Sequence, residues 1–203
     1  KYHFAYPITP ATDIMKRMAV ILPKYGGKMM QMESELAVSS ALAGAACSGT
    51  LAATSSSGPG MTLMQEAISF MAGAGLPCLM VDSMRVGPGD GDILGAQSDY
   101  YMATRGGGHG DYRVPVLAPM AIRLAYTYKT PVLFVMDGVT AQTTESVLLP
   151  EYHDYSEDYD TTSWAYTGTG DHEKRALITG SYSHKDGYLM NERLRAKYQE
   201  IRE

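Results

Sequence analysis

The chain of 203 residues has only two cysteines, Cys47 and Cys78, each in an apolar stretch. Two thiols are too few for a disulfide framework, a four-thiolate metal centre or an iron–sulfur cluster, and a reducing, cytoplasmic setting is expected. Cationic runs are missing as well. Lys and Arg number 17 against 22 Asp and Glu, a net charge of -5, and no basic helix face is present to track a phosphate backbone. Nucleic-acid binding is therefore not expected. No apolar run reaches the ~18 residues that cross a bilayer, so no membrane insertion is expected. The chain starts at Lys1, with no initiator Met and no secretory leader before the first apolar run, and we expect its start to be trimmed.

What is present is a succession of short apolar runs with amphipathic stretches between them, the pattern of an open parallel sheet of βαβ units with helices on both faces. The length suits one α/β domain with a full core. Strands are expected at 2–5, 28–32, 51–54, 77–82, 114–117 and 131–136, and helices at 12–22, 34–48, 61–74, 96–104 and 120–128. Small residues crowd the second helix, from Ala37 to Ala46, which suits close helix-on-sheet packing. Beyond about Pro150 the periodicity fails and Tyr and acidic residues dominate, which reads as an extended arm over a partner surface. At the end, Met190, Leu194, Tyr198 and Ile201 fall on one helical face, so residues 186–203 read as a helix docked on a neighbouring domain. The division expected is a domain over 1–140 and an arm with a terminal helix over 141–203 that serves subunit contacts.

Three loops rich in Gly, Ser and Pro follow strands: YPITP (6–10), SSSGPG (55–60) and RVGPGDGD (85–92). Ligands bind at that edge of an open α/β sheet, and three such loops suggest an active-site rim. Glu33 and Glu35, in QMESELA, open a helix, where capping alone accounts for both. Arg85 leaves a buried-looking strand into a glycine-rich loop; anion recognition by its guanidinium fork and plain solvation are equally open. His109, in RGGGHGDY, reads as a hydrogen-bonded structural group. No GxGxxG or Walker pattern occurs there. Asp90 and Asp92 could hold a metal in a small-molecule-binding domain, although two loop carboxylates are more often solvated.

Taken together, YPITP (6–10), MESELA (32–37), TSSSGPGMTLMQEAISFMAGAGLPC (54–78), MRVGPGDGDILGAQSDYYMATRGGGHGDYR (84–113) and PVLFVMDG (131–138) resemble the α subunit of 2-oxoacid:ferredoxin oxidoreductases. The likeness covers most of residues 1–140. The tail NERLRAKYQEI resembles the branched-chain, 2-oxoisovalerate type of that subunit. The resemblance implies the pyrimidine-binding domain of a thiamine diphosphate enzyme, with Mg²⁺ and the diphosphate motif on a separate β subunit. It implies iron–sulfur clusters, γ and/or δ subunits, ferredoxin and coenzyme A elsewhere in the complex. The Gly89-Asp90-Gly91 triplet looks like that diphosphate motif, but the Asn that should follow ~25 to 30 residues later is missing; the one Asn in the chain is Asn191. This chain is therefore expected to hold no metal.

The resemblance also gives roles. Glu35 would bond N1′ of the aminopyrimidine and share a proton with it, leaving capping to Glu33. Thr9 would face the thiazolium and substrate, and Arg85 would hold the 2-oxoacid carboxylate. Pro7, Ile8, Ser57 and Gly58 complete the expected cofactor contacts. The reaction implied is oxidative decarboxylation of a 2-oxoacid to acyl-CoA and CO₂, with electrons passed to ferredoxin. A branched-chain substrate is expected, with 2-oxoglutarate, pyruvate or a noncatalytic structural subunit as the alternatives. Departures from the family are a short connection over 120–130, no helix before YPITP, Val86 in place of a usual glycine, Asp90 in the same loop, and a loose match over 141–183. The first two suggest that residues are missing from the sequence.

Overall fold

A computed structural model describes residues 1–203 apart from 108, 111, 117–119, 149, 169–172, 178 and 180–182. The elements run β1 (Tyr2–Ala5), α1 (Thr12–Ile21), a 3₁₀ turn (Leu22–Tyr25), β2 (Lys28–Gln31), α2 (Glu35–Cys47), β3 (Ala52–Ser56), α3 (Gly58–Leu63), α4 (Gln65–Ala74), β4 (Cys78–Val86), β5 (Asp92–Gly95), α5 (Tyr100–Arg105), α6 (Ala121–Tyr128), β6 (Pro131–Asp137), α7 (Gly138–Gln142) and α8 (His184–Arg202). Five strands form the parallel sheet in the order β2-β1-β3-β4-β6, and β5 adds antiparallel to the end of β4. The chain leaves β1 toward β2 and later returns to its other side as β3. The strand order thus reverses between β1 and β3, which opens a crevice at their carboxyl ends.

Apolar packing fixes both faces. On one face Val38 and Leu42 of α2, Met61 of α3, Ile68 and Met71 of α4 and Met80 of β4 are almost fully buried in one cluster. Opposite, Ala121, Ala125 and Tyr126 of α6 pack with Val132, joined at the edges by Leu51 and Leu79. The Tyr126 hydroxyl donates to Thr50 C=O at 2.7 Å and accepts from Ala52 N–H at 3.1 Å, which ties α6 to the start of β3.

Several expected elements take another form. The strand expected over 114–117 reduces to a single bridge from Val116 to Leu133, and Leu117 lies outside the described residues. Pro115 has no N–H for a ladder, although its carbonyl accepts from Leu133. The helix expected over 61–74 is two, broken at Met64, and it starts earlier because Pro59 suits a first turn. The helix expected from 96 starts at Tyr100, since residues 92–95 are spent on β5.

Parts of the arm lie on the chain's own surface. Tyr152 stacks on Tyr25 with ring centroids 4.3 Å apart, Tyr159 leans on Tyr126, and Lys1 pairs with Asp154. The terminal helix also packs inward. Ser183 caps it, accepting from Asp186 N–H at 3.1 Å, and Leu194, only 7% exposed, joins the main cluster with Tyr198 against it.

Candidate functional site

The crevice between β1 and β3 gathers the loops after β1, β3 and β4 with the start of α2. Ser34 begins α2, its Oγ accepting from Ala37 N–H at 3.2 Å. Capping therefore belongs to Ser34 and not to the exposed Glu33. Glu35 follows in the first turn, where the free N–H groups favour an anion, and its residue surface is only 8% exposed. It faces α3. A Cβ placed on Gly60 would collide with Ser56 Oγ and would stand 2.8 Å from Glu35 Oε1. Only a glycine lets α3 pass this close, so the carboxylate is held against a backbone wall.

Arg85, next to last in β4, is also buried, with 8% of its surface exposed, which dismisses the solvated-loop reading. Its Nη1 donates to Thr9 C=O at 2.9 Å, its backbone N–H donates to Asp99 Oδ2 at 3.1 Å, and its buried Nε has no partner among the described residues. The loop after β1 and the end of β4 are thus joined by the guanidinium. Asp99 supports the arrangement. Burial pushes its carboxyl above the usual range, while the N–H groups of Arg85 and Gly58 and the Arg85 charge pull it back. A cavity of about 430 Å³ opens here, bounded by Gly58, Pro59, Arg85, Gly87, Pro88 and Asp99.

The remaining expected site residues fall into two groups. Thr9 is exposed and tied to Arg85 through its carbonyl, and Gly58 lies on the cavity wall beside Asp99. Glu35 lies behind Gly60 and is not on that wall. Pro7 is exposed, Ile8 uses its carbonyl to start α1 by accepting from Thr12 N–H at 3.0 Å, and neither lines the cavity. Ser57 is fully buried with its hydroxyl donating to Ser83 C=O at 2.7 Å, so it offers backbone only.

The glycine-rich loop after Arg85 is a hairpin turn. Val86 pairs with Asp92 across it, Gly89 and Gly91 have φ of +69° and +58°, and a Cβ on Gly91 would overlap Val86 C=O. Asp90 is exposed and Asp92 accepts from Leu94 N–H at 3.2 Å, a local turn contact. Among the described residues no three His, Cys, Asp or Glu side chains gather for a metal. The His109 carbonyl accepts from the Ser69 hydroxyl, and the residue is exposed.

Sequence reasoning missed Asp82, Asp99, Ser56 and Gly60. Asp82 had a signal, because alternation along Met80, Asp82 and Met84 sets it on the face of the buried Met80. The partnership of Asp99 with Arg85 and Gly58 is tertiary and had none.

Comparison with known proteins points one way. The model of the pyruvate flavodoxin/ferredoxin oxidoreductase family, thiamine diphosphate-binding part, matches residues 1–203. The chain is 40% identical to ketoisovalerate oxidoreductase subunit VorB of Methanothermobacter thermautotrophicus over 212 aligned positions, covering 99% of this chain and 60% of that one. It is 36% identical to 2-oxoglutarate synthase subunit KorA of Archaeoglobus fulgidus, covering 92% of this chain and 54% of the relative. A solved 2-oxoglutarate:ferredoxin oxidoreductase from Magnetococcus marinus, with 2-oxoglutarate, coenzyme A and succinyl-CoA bound, superposes with a TM-score of 0.85 at 28% identity. That match covers 99% of this chain and 41% of the other. The chain therefore spans about 60% or less of the length of these relatives.

Proposed function

The chain belongs to the pyruvate flavodoxin/ferredoxin oxidoreductase family, in its thiamine diphosphate-binding part, and from that premise we propose that it supplies the pyrimidine-binding half of a 2-oxoacid:ferredoxin oxidoreductase. The observation that carries the reading is the placement of Glu35: a buried carboxylate, pressed against Gly60 at the switch point of the sheet, in a fold whose β4 end also carries a buried arginine bonded to Thr9. These residues fit the cofactor's pyrimidine end. A carboxylate behind a glycine wall suits a flat, hydrogen-bonding ring, and the unpartnered Ser56 Oγ leaves buried polar capacity next to it.

When bound, thiamine diphosphate supplies the nucleophilic carbon at which a 2-oxoacid loses CO₂. Glu35 holds and returns a proton at N1′ of the ring. Pro7, Ile8, Ser57 and Gly58 shape the cofactor's wall through backbone and apolar contact. Thr9 stands at the mouth toward the reacting end. Arg85, with donors left over after Thr9 C=O, binds the substrate carboxylate in the cavity, and Asp99 fixes its backbone. Gly87 and Pro88 of the hairpin turn close that cavity on one side.

Mg²⁺ and the diphosphate motif belong to a β subunit in this reading, and the iron–sulfur clusters, coenzyme A contacts and ferredoxin docking to β, γ and/or δ subunits. Residues 141–203 serve subunit contacts beyond a domain over 1–140, with the exposed Val147 and Leu148 as the apolar points of contact. No helix among the described residues is long and apolar enough to cross a membrane; the free, partly or fully buried thiols suit a cytoplasmic protein.

The substrate is a branched-chain 2-oxoacid, 2-oxoisovalerate, which the 40% identity to a ketoisovalerate oxidoreductase subunit favours; the 36% relative makes 2-oxoglutarate the second reading. Viologen reduction by the purified complex with 2-oxoisovalerate, 2-oxoglutarate and pyruvate, with and without thiamine diphosphate, tests both. Cofactor-dependent reduction fastest with 2-oxoisovalerate is expected, and no cofactor-dependent reduction with any of the three would overturn the reading.

A further inference from the structure

Asp82 lies in β4, three residues before Arg85, with none of its surface exposed and with neither carboxyl oxygen partnered among the described residues. Its register partner on β3 is Ser56, so both side chains leave the same face of the sheet. Ser56 Oγ is likewise buried and unpartnered. It is also the atom that, together with Glu35 Oε1, bars a side chain at Gly60. The charge of Asp99, which accepts the N–H groups of Arg85 and Gly58, also acts on Asp82. An isolated anion in such a place is strongly disfavoured, whereas a neutral acid can donate to a hydroxyl or a carboxylate.

We propose that Asp82 is a positioning residue: carried as a neutral acid, it donates to Ser56, its unpartnered register neighbour, when the cofactor is bound, and so fixes Ser56 and the Glu35 beside it for contact with the pyrimidine. This rests on the role given above to Glu35. Burial, helped by Asp99, pushes the Asp82 carboxyl up to about 8. The elements packed against β4 bring Glu35 and Cys47 from α2, Asp92 from β5, Arg123, Tyr126 and Tyr128 from α6 and Asp137 from β6. Asp99 comes from the turn before α5, and β3, α3 and α7 bring no titratable side chain. Loss of the proton from Asp82 removes the donor to Ser56 and sets a second charge against Asp99, while the Arg85 guanidinium is already given to Thr9 C=O. Ser56 and the Glu35 beside it shift, and cofactor binding weakens.

The test uses the assembled complex. Thiamine diphosphate with Mg²⁺ is titrated calorimetrically from pH 6.5 to 9.5 into wild type, Asp82→Asn and Glu35→Gln, and the infrared band of protonated carboxyl groups is followed over the same range. Wild type should show a dissociation constant that rises above pH about 8, by up to about tenfold per pH unit, and a protonated-carboxyl band that fades in step. Asp82→Asn should bind as wild type does at pH 7 and lose both the rise and that band. An unchanged alkaline rise in Asp82→Asn, or a wild-type band that does not fade near pH 8, would overturn the proposal. The Glu35 assignment fails separately, by wild-type turnover of Glu35→Gln, which leaves the Asp82 band untouched.

Discussion

Replacing Gly60 by alanine places one methyl group where α3 runs against the site, and its consequence can be worked from contacts. The new Cβ would overlap Ser56 Oγ and stand 2.8 Å from Glu35 Oε1 and 2.9 Å from Glu35 Cγ. Overpacking of this kind costs about 1–3 kcal/mol. Alanine returns about 0.5–1 kcal/mol of that, because Gly60 is helical with no positive φ. A net destabilisation of at most about 2.5 kcal/mol is expected. The effect on activity should be far larger, since the Glu35 side chain is the movable neighbour, and a shift of about 1 Å in a reacting group costs about a hundredfold in rate. CO₂ release by the assembled complex at saturating cofactor reads the second effect, and the unfolding midpoint of the same preparation reads the first. The control is Gly44→Ala, mid-helix in α2 with no atom within 4 Å of the added Cβ; it should raise the midpoint slightly and leave the rate alone. A Gly60→Ala complex with wild-type turnover would refute the contact between α3 and a working Glu35.

Other outcomes follow from the same geometry. Arg85→Lys loses the fork that spans Thr9 C=O and the cavity, and should raise KM for the 2-oxoacid by about tenfold to a hundredfold, the worth of a charged hydrogen bond; an unchanged KM would remove Arg85 from substrate binding. His3, buried beside Ser55 Oγ at 3.1 Å, has its imidazole pushed down to about 4 by burial. The unfolded chain therefore binds the extra proton first, and stability is lost as pH falls from about 6.5 to 4, by up to about 1.4 kcal/mol per pH unit. His3→Gln should flatten that slope in denaturant titrations, and an unaltered slope would contradict it. Leu194→Ala should destabilise the chain by about 2–4 kcal/mol, while a loss under about 1 kcal/mol in the same titration would mean that α8 does not depend on the main core.

The sheet was legible because its parallel strands are short apolar runs set off by turns, and because the amphipathic spacing between them has a helical period. The loops that matter were legible for the same reason, since Thr9, Gly58 and Arg85 all follow such runs. What escaped lies where local chemistry is ambiguous. Ile93 and Leu94 form an antiparallel edge strand with 50% and 63% of their surfaces exposed, and nothing in RVGPGDGD distinguishes a hairpin turn from a rim loop. Ser-Gly-Pro-Gly looks like loop punctuation, yet Pro59 fits a helical first turn and Gly60 is required by the approach of Ser56 and Glu35. Tyrosines in the arm suited an interface, and the structure shows Tyr152 and Tyr159 using the chain's own tyrosines as that surface. Asp99 could be found in three dimensions alone, 14 residues from the N–H that it accepts.

The central claim is that Glu35 is the proton-carrying group of a shared thiamine diphosphate site. Glu35→Gln in the reconstituted complex tests it with the smallest change of shape. Assembly and 2-oxoacid binding should persist while CO₂ release is abolished, whereas release at the wild-type rate would contradict the role assigned to this carboxylate.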